Sequence, residues 1–134
     1  MKKISAVLVH DGGTNYVAGI SATEPMLADF EKVFAPVKAL DPQMPFDVRK
    51  VGGLPPFIGS DQDSFLGAGV PGFYLMQKGR ANYNRIHHTQ FDTYDGAIPE
   101  YQRHSALVMA MGAYGIANLD HMIARDNLVA ASPF

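Results

Sequence analysis

The stretch Ile4-Ser5-Ala6-Val7-Leu8-Val9-His10-Asp11-Gly12-Gly13 decides how this chain is read. It begins as a mostly apolar run and stops at a polar, glycine-rich turn. An apolar run without alternation reads as a strand buried on both faces, the habit of parallel or mixed sheets covered by helices. Asp11 then stands where the strand leaves the sheet. In open α/β sheets, ligand and catalytic groups gather beyond the carboxyl ends of strands. Asp-Gly-Gly is also an ordinary turn composition, and on composition alone that plainer reading of Asp11 is favoured.

The rest of the chain supplies the layers around that strand. Thr14 to Ser21 reads as extended or loop. Thr23 is placed as an N-cap, with Glu24 and Pro25 in the first turn of a helix. Met26, Leu27, Phe30, Val33, Phe34 and Val37 follow at helical spacing, and Pro36 is expected to kink or end that helix. Asp47 to Val51 reads as a short strand. Ser60-Asp61-Gln62-Asp63 has the form of a helix start with Ser60 as N-cap, stopped by Gly67 and Gly69. Val70 to Met76 is a further apolar strand, and Gln77 to Asn84 a polar loop. One long helix is expected from about Pro99 to Arg125, alanine-rich and therefore able to pack closely. Its Gly112 and Gly115 each cost about 1 kcal/mol of intrinsic helix stability relative to Ala, so packing must hold it.

Alternating strands and helices argue for an α/β fold on a mixed or parallel sheet. About three strands are visible, which makes a thin sheet with open edges, and a partner or a missing half is expected to cover them. At 134 residues, 47% hydrophobic and 18% charged, the chain is long enough for one domain and too apolar for disorder. Residues 1–126 read as a single α/β domain and 127–134 as a tail. A net charge of −2, with Lys and Arg scattered, argues against a nucleic-acid partner. The early apolar run is too short for a signal core or a membrane span, so no membrane partner is expected; the compartment stays open. Cys is absent, which removes disulfides, thiolate nucleophiles and Cys-based zinc sites.

The second informative stretch is Ile86-His87-His88-Thr89-Gln90-Phe91-Asp92-Thr93-Tyr94-Asp95. Its density of donors, acceptors and metal-ligating side chains exceeds what a connecting loop needs. His88 has two readings: a metal ligand oriented by Asp92 or Thr89, or a loop histidine bonded to a backbone carbonyl. The residues alone leave both open. His10 reads as a strand-end residue, and His104 and His121 as surface or boundary residues of the last helix. Ser60 and Asp61 can line a pocket, although helix capping explains both. A Ser60-His87-Asp92 triad ranks low because Ser60 is not in a G-x-S-x-G elbow. No phosphate-binding glycine pattern is present.

Taken in order, these pieces resemble the C-terminal half of the zinc-dependent exopeptidases that include bacterial aminopeptidases, carboxypeptidase Q (plasma glutamate carboxypeptidase) and glutaminyl cyclases. Asp11-Gly12-Gly13-Thr14 is similar to the family's strand-end D-x-G-T. Gly59-Ser60-Asp61-Gln62-Asp63-Ser64-Phe65, followed by Ala68-Gly69-Val70-Pro71-Gly72, resembles its G-S-D-x-x-x-F and A-G-V-P segment. His88-Thr89-Gln90-Phe91-Asp92-Thr93 is similar to its H-T-x-x-D-T. The resemblance covers roughly residues 4 to 120, and the doubled histidine and D-x-G-T are closest to the carboxypeptidase Q branch.

The resemblance implies part of a mixed-sheet, phosphorylase/hydrolase-like zinc-exopeptidase fold with helices on both faces. It implies a hydrolase of short peptides using metal-activated water, with two zincs in the complete site. Asp11 and His88 would be terminal ligands, one to each zinc. His87 stands where the family often has a tyrosine that donates to the tetrahedral oxyanion. Asp92 would support the histidine loop, and Ser60 and Asp61 would lie near the substrate pocket. Family members are often secreted. The family's remaining metal residues, a His-x-Asp pair and a Glu-Glu pair, have no counterpart in this sequence. The chain is therefore expected to be inactive alone, as a fragment or split gene product missing an N-terminal half. The alternative is a non-catalytic, self-associating module that kept the fold and lost the complete metal site. A third reading completes the site across a homo-oligomer, with His10 recruited.

Overall fold

A computed structural model describes residues 1–126 and 128. The elements run β1 (Val7–Val9), β2 (Tyr16–Ala22), α1 (Leu27–Lys38), β3 (Asp47–Lys50), α2 (Gln62–Gly67), β4 (Gly72–Tyr74), β5 (Met76–Lys78), α3 (Tyr83–Ile86) and α4 (Pro99–Ala117). The result is a small α/β domain of two sheets, one parallel and one mixed, with helices packed on them. The parallel sheet pairs β1 with β4, Leu8 opposite Phe73. In the mixed sheet β2 lies between parallel β3 and antiparallel β5.

The two sheets are joined by one extended run. Only Leu75 separates β4 from β5, and its N–H donates to Val9 O at 2.9 Å while its side chain is fully buried. The run Gly72 to Lys78 thus pairs first with β1 and then with β2. Among the described residues five strands stand, against the roughly three that the sequence pattern predicts. The added ones are β2, which the sequence reads as extended or loop, and β5, whose Gln77 and Lys78 the sequence places in a polar loop. β2 is the most buried strand of all, with Val17, Ile20 and Ala22 fully enclosed. Burial on both faces erases the alternation that announces a strand.

Helix α1 turns its Phe30, Val33, Phe34 and Val37 inward. Phe34 stacks on Phe46 with centroids 4.7 Å apart, and Phe30 meets Phe73 edge-on at 5.0 Å. The two glycines of α4 have their reason here. A Cβ on Gly112 would fall 2.7 Å from the Phe34 ring, and one on Gly115 would fall 2.7 Å from Val33 Cγ1. The intrinsic cost of glycine is offset by an approach that no side chain permits. Thr23 is the N-cap residue of a 3-10 turn, Glu24–Met26, that leads straight into α1, but its side chain makes no capping bond. Pro36 lies inside α1, which ends two residues later at Lys38.

α4 begins at Pro99 as expected and ends at Ala117 rather than near Arg125. The Asn118 side-chain amide donates to Tyr114 O at 2.8 Å beside its own backbone N–H at 3.1 Å, and the next N–H, that of Leu119, turns to Ile116 O at 3.3 Å, so the helical ladder ends there. The chain then returns across its own beginning. Ser5 Oγ accepts the N–H of buried Ile123 at 3.0 Å. The Arg125 guanidinium donates to the carbonyls of Ile4 (2.7 Å), Gly69 (2.9 Å) and Met1 (3.3 Å). Of the expected tail, Leu128 packs against the core, and the remainder lies outside the described residues. No helix among the described residues is long and apolar enough to cross a membrane.

Two histidines differ in kind. His121 is exposed, as expected, with Asp29 and Asp120 carboxylates at 2.9 and 2.5 Å. His104 is buried, contrary to expectation. It faces the edge of Tyr16 at 5.7 Å, its Nε2 has no hydrogen-bond partner, and burial pushes its pKa below the ordinary value.

Candidate active site

The turn after β1 is held by three side chains, Gln77 reaching in from β5 and Thr14 and Asn15 reaching out from the turn itself. The Gln77 amide, with its nitrogen facing Gly12 O, bonds both backbone polar groups of Gly12 at 2.7 Å. The Asn15 amide accepts from Ala81 N (3.0 Å) and donates to Ala81 O (3.1 Å). Thr14 Oγ1 accepts from the Ile98 N–H at 2.6 Å and from Gln102 at 3.4 Å. β5, the segment before α3 and the start of α4 are therefore fastened to one turn. Gly13 takes φ +80°, and a Cβ there would press on Ile86 at 3.0 Å, so only glycine lets the turn lie against the histidine loop.

That loop leaves α3 through His87 and reverses at His88, whose φ of +54° lies in the left-handed region. Such a conformation costs a non-glycine residue about 1–2 kcal/mol, and it is concentrated at functional positions. Thr89 fixes the reversal. Its hydroxyl donates to Arg85 O at 2.6 Å and accepts from Phe91 N–H at 3.2 Å. Its carbonyl accepts the Asp92 N–H at 3.2 Å. Thr89 thus shapes the backbone of the loop. The Tyr83 ring stacks on His87 at 4.8 Å, and His87 meets His88 edge-on at 4.2 Å.

Two clefts meet at these rings. One, of about 560 Å³, is lined by Asp11, Thr14, Tyr83, His87, His88 and Asp92, among others. The second, of about 680 Å³, is lined by Asp11, Ser60, Asp61, Tyr74, His87 and His88, among others. Asp11, Tyr83, His87 and His88 border both. Every expected site residue therefore borders one cleft or the other. His10 borders neither; its Nε2 lies 3.3 Å from Asn15 O. Ser60 does not cap α2. Asp61 occupies the cap position without a side-chain bond, the Asp63 carboxylate accepts the Gly59 N–H at 2.7 Å, and Ser60 Oγ donates to Asp11 Oδ2 at 2.5 Å.

Tyr74, Tyr83, Gln77 and Asn15 also belong to the site, and residue type alone does not mark them. Tyr74 ends β4 beside Asp11. Its burial first, then Tyr83 and the Asp11 charge, push its hydroxyl above the ordinary tyrosine pKa. It stays a neutral donor over the physiological range. Nothing in a single sequence marks Tyr74, Gln77 or Asn15, because each acts through a contact made far along the chain, and Tyr83 takes its role from the fold of the loop that brings His87 onto its ring.

Asp11 and His88 are the two metal ligands the resemblance implies, and they share both clefts. Among the described residues, however, no three His, Asp or Glu side chains are grouped to hold a metal ion. Catalytic zinc takes three protein ligands and a water. With one ligand for each of the two implied ions, the pair falls short of that set and does not fit the metal by itself. No protein-family description, curated protein or solved structure matches this chain in the comparisons made.

Proposed function

We propose that this chain is the C-terminal portion of a zinc-dependent exopeptidase acting on short peptides, and that alone it is inactive. The observation that carries the reading is the convergence of Asp11, at the end of β1, and His88, in its left-handed turn, on the same pair of clefts. The two come from motifs 77 residues apart in sequence that resemble the family's ligand motifs in the family's order. On this reading the domain is part of the larger phosphorylase/hydrolase-like sheet with helices on both faces. The remaining ligands and the general base belong to a segment outside these 134 residues. His87 and the neutral Tyr74 hydroxyl supply donors for an oxyanion. Asp92 and Asp61 line the space a peptide occupies.

The test has two parts. Equilibrium dialysis of the purified chain against zinc should give well under one tightly held ion per chain, and a dipeptide panel should show no turnover. Stoichiometric zinc together with hydrolysis that disappears in His88→Ala would overturn the claim of inactivity. The coding DNA upstream of Met1 tests the family assignment. A continuous or adjacent frame carrying His-x-Asp and Glu-Glu supports it.

A second reading, the self-associating module without catalysis, is favoured by one observation. β1 is paired on one side only, and beside it lies an apolar cleft of about 340 Å³ lined by Ala6, Leu8, Met109, Ala113 and Ile116, among others. A missing half or a second copy of the chain would cover it. A monomeric mass by sedimentation at high protein concentration counts against the module.

A further inference from the structure

A further cleft, of about 500 Å³, adjoins the first and shares Thr14, Ile86, Thr93 and Gly96 with it. We propose that it is a carboxylate-binding subsite built on Arg85 and Arg80.

Arg85 is the stronger half of the argument. Its guanidinium lies over the Phe91 ring, 5.3 Å from the centroid, and both residues line the cleft. Among the described residues no carboxylate lies within ion-pairing distance of it. A guanidinium held on an aromatic face and left without an anion is oriented in advance for a planar, two-oxygen partner. Arg80 is fixed from two directions, by the Glu100 carboxylate at 2.7 Å and by the Tyr101 ring at 5.1 Å. One ion pair leaves it further N–H donors for the cleft. Asp95 lines the same space and opposes a doubly charged ligand. A monoanionic carboxylate therefore fits better than a phosphate dianion. The cleft shares four lining residues with the one that holds Asp11 and His88, so one short molecule can reach both.

As a statement about binding, this does not depend on hydrolysis. As a statement about substrate, it rests on the exopeptidase reading and narrows it to peptides that carry a free carboxylate next to the bond held at the Asp11 and His88 cleft.

The test uses the 134-residue chain and three probes followed by amide chemical shifts: N-acetylglycine, its amide, and inorganic phosphate. N-acetylglycine should shift the amides around Asn82 to Arg85 and Thr93 to Gly96 saturably, and the amide probe should not. Arg85→Gln should weaken binding about tenfold, Arg85→Lys should restore part of it, and Lys38→Gln on α1 should change nothing. Retained dispersion of the amide spectrum separates lost binding from lost folding. Equal binding of the amide probe, indifference to Arg85→Gln, or no saturable shift at all would overturn the subsite. Tighter binding of phosphate would overturn the carboxylate assignment. Specific N-acetylglycine binding would stand even if the upstream sequence dismissed the exopeptidase, so the two proposals fail separately.

Discussion

The Ser60 hydroxyl donates to Asp11 Oδ2 at 2.5 Å across 49 residues of sequence. It ties the approach to α2 to the end of β1 and occupies one oxygen of the carboxylate at the centre of both clefts. A hydrogen bond to a charged group in a partly solvated place contributes about 0.5–1.5 kcal/mol. Ser60→Ala and Asp11→Asn should each lower stability within that range. The double mutant should lose less than the sum, with a coupling of about 1 kcal/mol in urea unfolding. Strict additivity would mean that the contact contributes nothing.

Gly112→Ala isolates packing from propensity. Propensity alone favours the alanine by about 1 kcal/mol. The Phe34 ring, 2.7 Å from the new Cβ, requires α1 to shift. We expect a net loss of about 1–3 kcal/mol by overpacking. A gain in urea unfolding would mean that α1 and α4 do not touch there.

Asn15→Ala removes both side-chain bonds to Ala81. The readout is local: the Ala81 amide should exchange with solvent faster, by about tenfold or more, while amides of the β2 core keep their protection. Uniform loss of protection would assign Asn15 to global stability instead of the fastening of the turn.

The two histidines predict opposite pH responses. Burial lowers the folded pKa of His104 below its unfolded value near 6.5, so its contribution is full above that value. It is lost as pH falls through 6.5 toward the folded pKa. The Asp41 charge works against this shift and softens it. His121 goes the other way. The Asp29 and Asp120 carboxylates raise its pKa, so its contribution is complete below about 6.5 and is lost as pH rises through the raised value. His104→Phe should flatten the fall in stability between pH 7 and 5. His121→Gln should cost more stability at pH 5.5 than at pH 8.5. Urea midpoints across that range decide both.

How much of this the sequence discloses depends on whether a residue's role is local. β1, β3, β4 and the start of α4 are legible because an apolar run or a proline at a helix start acts where it stands. β2 is not legible. Gly19 interrupts its pattern because Asp47 O and Met76 lie where a Cβ would go, and that crowding belongs to the sheet. The end of α4 misleads for the opposite reason. Leu119, Met122 and Ile123 keep a helical spacing after the chain has left the helix, since Ile123 is buried by the returning segment. His104 sits between Arg103 and Ser105 and reads as surface, yet Ser105 Oγ accepts the Val17 N–H at 3.0 Å inside the core. In the clefts, Asp11, His87 and His88 stand out by residue type and order. The amides of Gln77 and Asn15 are visible only through the backbone groups they hold.

The fastenings of the Asp11 turn also set an order of events in time. The turn sits near the start of the chain, but its partners arrive late: Ser60, then Ala81, then Ile98, with Gln102 separated from Thr14 by 88 residues. On a ribosome the carboxylate emerges long before anything can position it. Each closure costs chain entropy that grows with the logarithm of the loop it seals, and long-range closures of this kind slow folding. The clefts are therefore among the last features of the molecule to exist, and a nascent chain shorter than about Gln102 has the residues of the site without the site.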